Sequence, residues 1–240
     1  MQFDLSPFFE EYKNIVHGLD TAFEQIQKQY PQEVRCQQGC CECCYALFDL
    51  TLVEAMFLNR QFHNHLDQDQ QDLVLERADR ADRDIHKIKH QAFKARQKGV
   101  EPEEILREVG AKQVRCPLLD DENMCLLYAH RPLTCRVYGL PLQIHGQVRT
   151  CGKTGFEPGT SYPTINMDTL QDRLMDISQR LVQAMPTRYD KLAEVLVPVS
   201  MALLTEYDDE YLGIVQPKQK MPAQAAEWTL GPSEEEPENG

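Results

Sequence analysis

Five cysteines fall within nine residues, Cys36-Gln-Gln-Gly-Cys40-Cys41-Glu-Cys43-Cys44, a density that buried small hydrophobes do not produce. A two-residue spacer such as Cys40 to Cys43 lets two sulfurs reach one metal centre from a turning backbone, and Gly39 supplies the freedom to turn. Crowded free thiols repel when ionised and oxidise when exposed; coordination as thiolates removes both problems. A transient redox pair of Cys40 and Cys43 would explain two cysteines and leave the others idle. A second group follows far along the chain, with Cys116, Cys125, Cys135 and Cys151. Arg131 and Arg136 stand close enough in sequence to balance the negative charge of a thiolate centre, and His130 between them is a further possible ligand. Glu42 and Asp49 read as polar trim around the site. His86 and His90, one helical turn apart, read as a solvated face.

Gathering these sulfurs is the task of the surrounding elements, which the sequence predicts to be mainly α. Ser6-Pro7 opens a helix over 7–29, with Ser6 as N-cap and an apolar stripe from Phe8 to Ile26. Thr51 and Glu54 form a capping-box pattern at the head of a helix over 52–63, whose apolar face is Val53, Met56 and Phe57. Val74, Ala78, Ala81, Ile85, Ile88, Ala92 and Ala95 trace a narrow seam along the longest helix, 67–98, in a long helical hairpin. That seam reads as core packing. A short helix over 103–109 precedes turn-rich sequence, and Asn166 caps another over 167–185. Thr187 caps a last one over 188–206, in which Pro198 should kink or divide the pattern.

Within the turn-rich region, Asp120–Asn123 predicts a hairpin turn joining Cys116 to Cys125, and His145-Gly146 predicts a second hairpin that delivers Cys151 to the same end. Pro132 opens a short helix with Cys135 in its first turns, where a thiolate gains from the helix dipole. Residues 1–215 thus form one metal-binding domain: a helical scaffold plus a small cysteine-rich region of short β-hairpins and turns. Residues 216–240, rich in Pro and Glu, read as a disordered acidic tail.

A net charge of −13 with no basic patch argues against nucleic acid or an anionic membrane surface as partner. The N-terminus lacks a signal-peptide pattern and no apolar run could span a bilayer, which places the chain in the cytoplasm. A reducing compartment disfavours disulfides, and nine cysteines cannot all pair.

The spacing C-x3-C-x2-C-C, followed by C-P-L-L and C-x2-Y-x2-R-P-x2-C-R, resembles the CxxCxxCC family of YkgJ-like zinc- or iron-chelating proteins, and also the cysteine region of flagellin lysine N-methylase. Residue by residue, the resemblance puts Cys36, Cys40, Cys43, Cys44, Cys116, Cys125 and Cys135 on the family's cysteine positions. Tyr128, Arg131, Pro132 and Arg136 fall on its second signature, while Cys41 lies outside the pattern and Cys151 fits as a later ligand. The resemblance implies bound metal: an iron–sulfur cluster or iron, favoured by the methylase likeness and the interleaved Arg and Tyr side chains, with zinc as the alternative. A metalloenzyme such as an iron–sulfur-dependent methyltransferase, and a metal storage or delivery protein, are the other readings. No protein partner is indicated.

Overall fold

The computed structural model describes residues 3–215; the acidic segment 216–240 expected to be a tail lies outside the described residues. Helices dominate: α1 (Ser6–Gln29), α2 (Leu52–His65), α3 (Gln68–Gln97), α4 (Pro102–Gly110), α5 (Leu133–Val137), α6 (Met167–Ala184) and α7 (Val199–Leu204). Strands are short: β1 (Asp49–Leu50), β2 (Leu142–Ile144), β3 (Gln147–Arg149), β4 (Ile165–Asn166) and β5 (Val197–Pro198). A mainly α fold is therefore what the chain adopts.

Helix α2 is the centre of the molecule. One side packs with Phe9, Tyr12 and Ile15 of α1 and with Leu174 and Ile177 of α6; the other carries Leu58 and Phe62 against Val74 and Ala78 of α3 and Leu203 of α7. Its burial is therefore nearly all round, wider than the one-sided face expected from Val53, Met56 and Phe57. Each fully buried leucine or phenylalanine here contributes about 1.5–3 kcal/mol. No helix among the described residues is long and apolar enough to cross a membrane.

The anticipated Thr51–Glu54 capping box is absent. Glu54 is 3 % exposed and instead accepts hydrogen bonds from the Tyr12 hydroxyl (3.1 Å) and the Leu133 backbone N–H (2.7 Å). Ser178 of α6 takes over at the helix head, its hydroxyl accepting from Val53 N–H at 3.2 Å, and the buried Thr51 hydroxyl has no partner among the described residues. Ser6 also differs from expectation: it is the first residue of α1, and Asp4 accepts its N–H at 2.9 Å.

Helix α3 begins with a capping box between Asp67 and Gln70, turns at Gly99 and folds back into α4, a hairpin of unequal arms. Only Val74, Ala78 and Ala81 of the seam are buried, packed against α7. A helix over 188–206 does not form. Pro198 lacks the N–H a helix needs there, and Val197–Pro198 instead pairs antiparallel with Asp49–Leu50, leaving a single turn at Leu192–Glu194 and α7 after it. Thr187 caps nothing; its hydroxyl donates to Leu212 O, and Val195 and Leu196 are exposed.

Candidate metal centre

The first cysteine segment leaves α1 through Val34 and turns at Gly39, whose φ of +88° only glycine adopts without strain. Cys40 N–H closes that turn on Gln37 O at 2.9 Å, and Glu42–Tyr45 then form a single 3₁₀ turn carrying Cys43 and Cys44. The second segment is joined to the first by its backbone: Cys116 N–H donates to Cys44 O at 2.7 Å. The predicted Asp120–Asn123 turn forms, with the Asp120 carboxylate accepting from Glu122 and Met124 N–H at 2.9 and 2.7 Å and Asn123 at φ +61°. Pairing across it is limited to the bridge between Leu119 and Cys125, so no flanking strands develop.

Cys135 sits in α5, which Pro132 precedes as anticipated. Two long-range contacts place that helix: Glu54 holds Leu133 N–H, and Arg136 pairs with Asp20 of α1 at 2.7 Å. Arg136 borders the same cavity as the cysteines, with its guanidinium engaged by Asp20 and by the Ala129 and Arg131 carbonyls. Arg131 opposes the upward push of burial at Cys36 and Cys125 and adds to the Cys135 and Cys44 contacts that hold Cys43 low. Its guanidinium lies over the Tyr128 ring at 4.1 Å and donates to Tyr128 O at 2.7 Å, so Tyr128 holds the arginine in place.

The two-residue turn at His145 (φ +50°) and Gly146 (φ +76°) builds the predicted β2–β3 hairpin, to which β4 adds in parallel. The chain then returns past Cys151, and Gly155 N–H pins it to Glu33 O at 2.8 Å. Cys151 thereby reaches Cys36 and Cys40.

Cys36, Cys40, Cys43, Cys44, Cys116, Cys125 and Cys135 line one cavity of about 90 Å³, together with Arg131 and Tyr128. None of the nine cysteines is in a disulfide. Ala81 and Ile85 of the α3 seam also reach the wall, so the seam serves the site as well as the core. His130 does not face the cavity; it stacks on His65 at 4.3 Å. His86 and His90 stack on each other on the exposed side of α3. The spacing did not reveal Gly139, where a side chain would collide with Cys36, or Lys153, which pairs with Glu42 at 2.6 Å beside Cys151.

Among the described residues, no three Cys, His, Asp or Glu side chains already converge at metal-binding distance. The sulfurs line walls and a bound ion would draw them inward. Their electrostatics suit this. Burial pushes Cys36 up to about 11 and Cys116 up to about 12, and raises Cys125 and Cys151. Cys43 is the exception, held low because the Cys135 and Cys44 thiols donate to its sulfur; the same contacts, with burial, raise those two well above the ordinary thiol value. A wall that brings seven cysteine sulfurs together is a starting point for a thiophilic cation, which displaces thiol protons on binding. The residues present fit zinc or an iron–sulfur cluster on these grounds.

No curated protein and no solved structure matches the chain. One family model does, the CxxCxxCC model described as a putative zinc- or iron-chelating domain, and its match over residues 35–152 takes in all nine cysteines. Both cysteine segments fold onto one sulfur-lined cavity, and the stretch that carries them, residues 35–152, is similar to the CxxCxxCC family.

Proposed function

We propose that the protein holds iron as an iron–sulfur cluster through thiolates drawn from Cys36, Cys40, Cys43, Cys44, Cys116, Cys125, Cys135 and Cys151, with zinc as the alternative occupant. The observation that carries this reading is that sulfurs from two distant segments line one cavity, the segments being joined at Cys116 and Cys44. A zinc ion takes four ligands, and the wall offers more thiols than that, which favours a larger inorganic core. Arg131 offsets part of the charge of such a core.

The cavity's 90 Å³ has room for several water-sized groups but falls well below the roughly 300–1,000 Å³ of small-molecule sites. This favours a metal-binding role over a methyltransferase whose substrate would share the cavity. A reducing cytoplasm would keep the thiols free for metal.

Anaerobic purification tests the reading. Brown protein with visible absorbance, iron and acid-labile sulfide supports the cluster; colourless protein with stoichiometric zinc transfers the site to zinc; protein that takes up neither metal refutes the proposal. Cys125→Ser should lower metal content and thermal stability together, and wild-type loading in that variant would remove Cys125 from the ligand set.

A further inference from the structure

We propose that the cysteines form two adjoining metal positions: a deep one held by Cys44, Cys116, Cys125 and Cys135, and a shallow one held by Cys36, Cys40 and Cys151, with Cys43 on the wall between them. This rests on the metal-binding reading above and divides its ligand set.

The division follows from two cavities that share a wall. The deep one, about 90 Å³, is lined by the four sulfurs assigned to it, none of which borders the second cavity. That second cavity, about 10 Å³, is bordered by Cys151, which does not reach the first. Cys36, Cys40 and Cys43 face both.

Size assigns the occupants. A space of about 10 Å³ accommodates roughly one water-sized atom, so the shallow position takes a single ion, whereas the deep cavity has room for more. Three cysteine sulfurs with a fourth place left to Cys43 or solvent suit zinc. The backbone preserves this geometry. Gly155 N–H holds the Cys151 loop to Glu33 at 2.8 Å, Thr154 Oγ1 donates to Cys151 O at 2.8 Å, and Gly139 leaves space for the Cys36 side chain. The Lys153–Glu42 pair lines the shallow cavity and is partly exposed, so its ion is the one open to exchange.

The test uses the full chain, reduced anaerobically and reconstituted with zinc(II) alone, then counted by elemental analysis before and after a mild chelator. Wild type should hold about two zinc ions per chain and release one of them quickly. Cys151→Ser should retain only the slowly released ion; Cys116→Ser should lose that one and keep the fast one. Cys151→Ser decides the matter alone should Cys116→Ser fail to fold, which circular dichroism reports. Division into two positions is overturned if Cys151→Ser loses all zinc or keeps both ions, or if wild type takes up one ion or more than two. A wild-type chain that binds neither zinc nor iron sinks the metal-binding reading itself.

Discussion

Gly139→Ala adds one methyl group at the tightest point of the site. A β-carbon built on Gly139 overlaps the Cys36 Cβ and lies 3.2 Å from its Sγ. The Gly139 backbone is not in the left-handed region, so alanine brings no conformational strain and the whole effect is the collision. The neighbour cannot yield by swinging a long side chain, because the overlapping atom is the carbon next to the backbone. Overpacking of this kind costs about 1–3 kcal/mol. For a chain of this size that lowers Tm by roughly 2–12 °C, at about 2–4 °C per kcal/mol. Displacing Cys36 should also reduce metal uptake, although no ligand has been removed. Gly152→Ala is the control: its β-carbon meets nothing within 4 Å, and its Tm and metal content should match wild type. Differential scanning calorimetry and elemental analysis read both quantities. Wild-type stability and loading in Gly139→Ala would refute the claim that close approach of Cys36 to α5's C-terminal turn builds the site.

Burial lifts Glu54 to about 7 from the ordinary 4.5, so between those values the folded protein keeps a proton that the unfolded chain gives up, and stability falls as pH rises through that window. The loss is on the order of 3 kcal/mol. Glu54→Gln cannot titrate and can still accept from Tyr12 and Leu133, so its stability relative to wild type should improve between about pH 5 and pH 8; a constant difference in denaturant unfolding refutes the assignment. Because burial holds Cys36 and Cys116 protonated at neutral pH, metal must expel those protons, and apparent zinc affinity should rise by up to about tenfold per pH unit for each proton displaced. Competition with a chelator at about pH 6, 7 and 8 measures this, and a pH-independent affinity would contradict it.

Much of this site was legible before folding because its information is local. Cysteine spacing is a property of short segments, and Gly39, the Asp120–Asn123 turn, Pro132 and the His145-Gly146 turn each act over a few residues. Helix periods gave α1, α3, α4 and α6 nearly to their ends for the same reason, since a stripe of apolar residues needs only one buried side. Where partners come from far away, local rules failed. Glu54 is three residues into α2, where a capping box would use it, yet Tyr12 and Leu133 compete for the carboxyl group and win because a buried polar group needs hydrogen-bond partners. Residues 188–206 carry a helical pattern, but β1 offers Val197–Pro198 a partner that a proline-broken helix cannot match. Arg136 stands beside Cys135 in the chain and turns to Asp20 on another helix.

By itself, then, the sequence determined the chemistry, a set of soft sulfur donors on turns, and most of the helices that carry them. Only the tertiary structure decided which sulfurs share a wall, that Arg136 pairs with Asp20 while Arg131 stacks on Tyr128, and that Gly139 leaves room for Cys36. Spacing along a chain limits how far two atoms can be apart, but it is packing between segments distant in sequence that decides which of them meet.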